Sequence, residues 1–349
     1  MTRMTQRPAA SSRLALVSAV IAVAIALAVS SDRVYTQAAQ ARAPWPPPLS
    51  APAPGEVQLL PVAGNISVII GAGGNVTVQA GEQGILLVDT GTAAMSDKVW
   101  AAVQSISRKP MRYIINTTEH ADFTGGNAAI APKGETVPLR EANYTAGPQG
   151  VINYKRASVV SFLTVLNRMS APTGEKSPTP TDAWPDNTFA TPQKRFYFNN
   201  EPVVITNLPG NTDGSSVVHF RKSDVISAGE LLDLTRFPRI DVKAGGSLDA
   251  LVDSLNKLID LTVPEANAAG GTMVIPGRGR IADHAEVAYY RDMNYVIRDR
   301  IRDMVGKKMT LAQVKAAKPA RDYETRYGSA TGPWTTDMFV EAAYESLRK

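Results

Sequence analysis

Residues 116–127 read Asn116-Thr117-Thr118-Glu119-His120-Ala121-Asp122-Phe123-Thr124-Gly125-Gly126-Asn127. The β-branched and aromatic run Tyr113–Ile115 just before them predicts a strand, so this stretch is a polar loop at a strand end, closed by paired glycines. Upstream, Val57–Val62, Ile66–Ile70, Val76–Gln79 and Ile85–Val88 are short runs of strand formers between Gly and Asn clusters, which predicts consecutive hairpins. Gly71-Ala72-Gly73-Gly74-Asn75 lacks the third glycine of a dinucleotide loop and precedes a strand, so it reads as a hairpin turn. Ser96 is placed to cap a helix carrying Val99, Val103 and Ile106, which Pro110 stops.

Downstream, Phe196–Phe198 and Val203–Ile205 flank an Asn199-Asn200 turn, and Val217–Phe220 and Asp224–Ser227 flank another. Ser247 is placed to cap a helix aligning Leu251, Leu255, Leu258 and Ile259. Met273–Ile275 is a further strand, and a long helix then aligns Met293, Ile297, Ile301 and Met304. The Pro- and Thr-rich segment Pro172–Pro192 reads as a long loop. Thr335–Lys349 is an amphipathic helix expected to pack on the domain. Strands with a helix, twice over, plus a helical tail imply a layered α/β (α+β) architecture.

Composition narrows the chemistry. The chain of 349 residues has no cysteine, which excludes disulfides, thiolate nucleophiles and cysteine–metal sites. It has three histidines, His120, His219 and His284. Five arginines against one aspartate give residues 1–42 a net +4, leaving about +1 of the chain's +5 for the rest. A folded part so near neutrality carries no nucleic-acid footprint. Arg3, Arg7 and Arg13 precede the apolar run Leu14–Val29, which reads as a secretory signal peptide or else an N-terminal anchor. The protein is accordingly expected in the periplasm or secreted, or held at the inner membrane through that segment alone. The expected organisation is 1–42 signal peptide or anchor, 43–54 Pro-rich linker, 55–285 main domain and 286–349 helical extension.

The loop at 116–127 resembles the signature loop of the metallo-β-lactamase superfamily, usually Asn-Thr-His-x-His-x-Asp-His-Thr-Gly-Gly-Asn. Four other landmarks follow the family order: Leu87-Val88-Asp89-Thr90-Gly91, Pro209-Gly210-Asn211-Thr212-Asp213-Gly214, Ser227-Ala228-Gly229-Glu230 and Val274-Ile275-Pro276-Gly277-Arg278-Gly279. The resemblance implies an αββα sandwich with a C-terminal helical extension. It also implies hydrolase lineage, in which two zinc ions activate a bridging water. Asp89 would brace the signature loop rather than bind metal.

Carried over residue by residue, the family ligand positions hold Thr118, His120, Asp122, Phe123, Asn211, Glu230 and Arg278. Thr118, Phe123, Asn211 and Arg278 do not suit zinc, and His219 and His284 match no ligand position. The resemblance therefore implies a degenerate site, with Thr118, Asp122, Phe123, Asn211, Glu230 and Arg278 as pocket residues. Arg278, always charged, is expected to take over the metal's charge by pairing with Asp122, Glu230 or both. The cofactor expectation is no metal, or one divalent ion (Zn or Mn) on His120, Asp122 and Glu230, with Asp213 as a further oxygen. Two functions stay open: a binding or regulatory pseudoenzyme for an unknown small molecule, or a metal-dependent hydrolase of esters, lactams or thioesters on a reduced mononuclear site.

Overall fold

The computed structural model describes residues 52–136, 155–171, 175–263 and 271–348. The expected leader, and most of the Pro-rich spacer, lie outside them. The chain divides into Met1–Leu49 and Ser50–Lys349, and every described residue belongs to the second unit. Among the described residues no helix is long and apolar enough to cross a membrane.

Two sheets form the centre. The first runs β1 (Gln58–Ala63), β2 (Ile66–Ile70), β3 (Val76–Gly81), β4 (Gly84–Val88), β5 (Met111–Asn116), β6 (Ser158–Phe162) and β7 (Asn187–Phe189), in that spatial order. Its β1–β4 half is a set of hairpins, whereas β4 through β7 are parallel. The second sheet has the order β12 (Met273–Arg278), β11 (Val225–Asp233), β10 (Ser216–Phe220), β9 (Glu201–Asn207) and β8 (Gln193–Phe198). Asn199 and Asn200 both adopt positive φ (52° and 61°), the backbone a two-residue β8–β9 turn requires.

Alternation along the strands builds the layers. Leu86, Val88, Ile115 and Val160 face Val203, Ile205, Val218 and Ile275 between the sheets. Their neighbours Ile85, Leu87, Ile114 and Val159 turn outward onto Val99 and Val103 of α1 (Ser96–Ile106). The outer face of the second sheet meets Leu251, Leu255 and Leu258 of α3 (Leu248–Thr262), after α2 (Leu163–Ser170) in the chain. Val287, Met293, Ile297 and Ile301 of α4 (His284–Gly306) join that layer. So do Val314 of α5 (Leu311–Ala316) and Phe339, Val340, Ala343 and Tyr344 of α6 (Thr336–Leu347). The result is the αββα sandwich, with its C-terminal helices built into an outer layer. Phe237 stacks on Phe339 at 4.8 Å, and burial of both rings ties the tail to the β11 segment.

Three expectations change. Ser247 caps α3 as read, its side chain accepting from the Ala250 amide, but Ser96 is the first residue of α1 and its hydroxyl donates to Ala93 O. The segment read as a loop over 172–192 holds a 3-10 turn, Thr181–Ala183, and the edge strand β7; residues 172–174 lie outside the described residues. Helix α4 starts at His284, so the boundary placed at 285 falls in its first turn.

Candidate functional site

The carboxyl ends of the parallel strands converge at one end of the sandwich, and the signature loop leaves β5 there. Asp89, just after β4, adopts φ 63°, a conformation Asp tolerates better than most residues. Its carboxylate accepts from the Thr117 amide (2.9 Å) and the Thr117 hydroxyl (2.7 Å), which is the bracing role expected of it. Burial pushes Asp89 up to about 7, against those two bonds. Gly229 sits at φ +53°, and a Cβ there would lie 2.3 Å from Thr117 Oγ1. Gly229→Ala therefore strains its own backbone and drives into the residue that Asp89 holds. We expect a loss of about 2–4 kcal/mol in urea unfolding, larger than the ordinary surface cost of Gly→Ala.

His120 lies with 9% of its side chain exposed, and Nδ1 bonds Glu230 Oε2, itself on a 2%-exposed side chain. Thr118 Oγ1 stands 3.4 Å from both. On the other edge of the ring, Asp241 Oδ2 is 3.7 Å from Nε2, too far for a direct hydrogen bond. Burial works against the imidazolium, yet the Asp241 and Glu230 carboxylates outweigh it and lift His120 to about 9. The imidazolium in turn holds Asp241 down to about 2, against burial and with help from the Ala244 amide.

The pH dependence follows. A histidine whose folded pKa of about 9 exceeds its unfolded 6.5 stabilises fully below pH 6.5 and loses that contribution as pH rises through 9. Asp241 contributes above its unfolded 3.8 and loses that as pH falls through 2. The cluster is therefore strongest between about pH 4 and 6.5. Wild type should lose about 2 kcal/mol more than His120→Gln between pH 6.5 and 9, a figure discounted for the partial exposure of Asp241. Parallel pH profiles of the two proteins would contradict the pairing.

The second cation is Arg278, at the end of β12 with 14% of its side chain exposed. Nη2 pairs with Asp122, and Nη1 lies 3.4 Å from Asp233 Oδ2. Of the two partners expected for Arg278, Asp122 is met, whereas Glu230 is taken by His120 and Asp233 stands in its place. Asp233 is also held by Arg236 (3.0 Å) and by the Thr235 amide and hydroxyl. The Arg278 guanidinium lies 5.0 Å from the Phe123 ring centre, so Phe123 supplies an aromatic face to the cation. Two protein cations thus stand in the site, each bracketed by two carboxylates.

Asn211 is fully buried; Nδ2 donates to Arg239 O (2.8 Å), and among the described residues Oδ1 meets no partner. Asp213, expected as a further oxygen, pairs with Arg168 of α2 (2.7 Å), which also bonds Glu119 (3.2 Å). His219 lies on β10, and His284 bonds Thr262 (2.8 Å); neither joins the site. Asp233, Asp241 and the Gly73-Gly74-Asn75 turn are site residues that the sequence reading missed. Asn75 Nδ2 donates to Pro276 O (2.8 Å) and Gly279 O (3.0 Å), either side of Arg278, and Gly74 N donates to Asp122 O (3.0 Å). That turn, read as a plain hairpin connection, locks the two loops that bring Arg278 to Asp122.

The profile described as Metallo-beta-lactamase superfamily matches residues 69–266. This chain belongs to the metallo-β-lactamase superfamily. No curated protein matches it. Among solved structures, it resembles the stereoselective inverting sec-alkylsulfatase Pisa1 from Pseudomonas sp. at 14% identity and TM-score 0.55, over 83% of this chain and 50% of that one. It also resembles a metallo-beta-lactamase from Pontibacter korlensis at 16% identity and TM-score 0.49, over 69% of this chain and 99% of that one. The chain spans about half the length of the alkylsulfatase, and the likeness at these identities concerns the fold.

The superfamily usually binds zinc, so the donors can be tested against that metal. Among the described residues no group of three or more His, Asp or Glu side chains is arranged to hold a metal ion. Of the suggested ligands His120, Asp122 and Glu230, the structure brings His120 and Glu230 together and draws Asp122 to Arg278. A guanidinium beside one carboxylate and an imidazolium beside the other do not fit a dinuclear zinc centre.

Proposed function

We propose that this chain is an exported, metal-independent binding or regulatory member of the superfamily, which recognises a small molecule at the former metal end without dinuclear zinc hydrolysis. The observation that carries this reading is the pairing of Arg278 with Asp122. It satisfies the retained carboxylate with a charge the protein itself supplies. A divalent cation would have to displace a guanidinium held on its other side by Asp233 and over its face by Phe123. Export rests on the basic, then apolar, N-terminal segment of the sequence.

The test assays ester, lactam, thioester and alkyl sulfate hydrolysis with and without added Zn or Mn, before and after chelation. No turnover above buffer under any condition is expected. The rival reading, a hydrolase working through one metal on His120, Asp122 and Glu230, requires chelator-sensitive turnover. Arg278→Ala separates the two further. It leaves Asp233 with Arg236 and leaves Asp122 half in solvent, so we expect a loss of about 2 kcal/mol rather than the larger cost of a fully buried pair. An unchanged melting temperature would show that the Arg278 pair does not hold the site together.

A further inference from the structure

Arg168, Arg236 and Arg278 are each paired with carboxylates. Arg239 differs. It is half-buried, and among the described residues its guanidinium has neither an ion pair nor a hydrogen bond. Its own backbone is fixed: the carbonyl accepts from Asn211 Nδ2 (2.8 Å), and two residues on, the Asp241 amide donates to Asn211 O (2.9 Å). This places Arg239 in the loop whose Asp241 faces His120 Nε2 at 3.7 Å. Its charge is felt there, opposing the imidazolium and favouring ionised Asp241.

Among the described residues, three buried atoms of the site lack partners: Nε2 of His120, Glu230 Oε1 and Asn211 Oδ1. The guanidinium asks for an acceptor, while the carboxylate and amide oxygens ask for a donor. Asp241 and Glu230 repel a bare anion close to His120. A ligand that carries its charge toward Arg239 and a hydroxyl or amide N–H toward Glu230 Oε1 and Asn211 Oδ1 meets both demands. A carboxylate matches the planar fork of a guanidinium in two parallel hydrogen bonds.

We propose that Arg239 anchors a small organic carboxylate bearing a hydroxyl or amide donor, bound at the His120 end of the sandwich. This rests on the metal-independent reading of the same site. Calorimetric titrations with 4-hydroxybutyrate, acetate and 1,4-butanediol test it, each in chelator and in zinc-containing buffer. Wild type, Arg239→Gln, Arg239→Lys and Arg300→Gln are compared; Arg300 lies on α4 and pairs with Asp322 at 2.7 Å. We expect saturable binding of 4-hydroxybutyrate in chelator, weaker binding of acetate and none of the diol. Arg239→Gln should weaken it about 10–100-fold, the range for losing a charge-assisted bidentate contact, with Arg239→Lys between and Arg300→Gln like wild type. Equal affinity in wild type and Arg239→Gln, diol binding as tight as the hydroxy acid, or no binding in either buffer overturns the assignment of Arg239. Binding that appears only with zinc instead overturns the metal-independent reading.

Discussion

Glu230→Ala is expected to cost about 3–5 kcal/mol of folding stability, the largest single effect in the molecule's polar interior. The carboxylate is 2% exposed and bonds His120 Nδ1, whose ring is 9% exposed. Removing it strands the imidazolium with Asp241 alone, 3.7 Å away and a third exposed. The histidine must then give up its proton or carry an uncompensated charge out of water. Glu230→Gln keeps volume and a hydrogen-bonding oxygen but removes the charge, so it should fall between alanine and wild type. The double variant Glu230→Leu with His120→Leu should recover most of the loss, because replacing both members of a buried pair is far milder than removing one. Chemical unfolding of the four proteins at pH 6 measures this. A single alanine variant within about 0.5 kcal/mol of wild type would show that no charge is buried there.

The second large effect is a gain. Changing Thr118, Phe123, Asn211 and Arg278 to histidine together is expected to create zinc affinity below about 1 µM, whereas wild type shows none in that range. The framework that would aim these imidazoles is in place. Asp89 grips Thr117 beside Thr118, Gly229 allows the β11 end to approach Thr117, and Asn75 clamps the backbone around residue 278. Losing Arg278 also releases Asp122 as a ligand. Zinc titration with a chelating dye, with melting temperature as a second readout, reports the outcome. No gain would mean that the loops have moved apart along with their ligands.

Much of this was legible in the chain. The hairpins, the Ser247 cap and the α3 and α4 faces follow from local periodicity, and the five landmarks place Thr118, His120, Asp122, Phe123, Asn211, Glu230 and Arg278 at one end. The partner of Arg278 was not legible, for a physical reason. Glu230 and Asp233 are three apart, so regular alternation puts them on opposite faces of β11, but the β11–β12 register shifts between Gly229 and Asp233. That irregularity sets Asp233 directly opposite Arg278. Asp241 sits in a loop without periodicity, fixed by the Asn211 carbonyl through a contact that no local pattern announces. The strand β7 is three residues long, too short to show alternation among prolines and threonines.

In the proposed function, His120 and Arg278 carry the positive charge that metal ions carry elsewhere in the superfamily. Elemental analysis of the mature protein, purified without chelator and then dialysed against zinc and manganese, tests it most directly. Metal far below one ion per chain is expected, with a melting temperature that neither ion raises. Stoichiometric metal that survives dialysis, together with a melting temperature that drops on chelation, would contradict it.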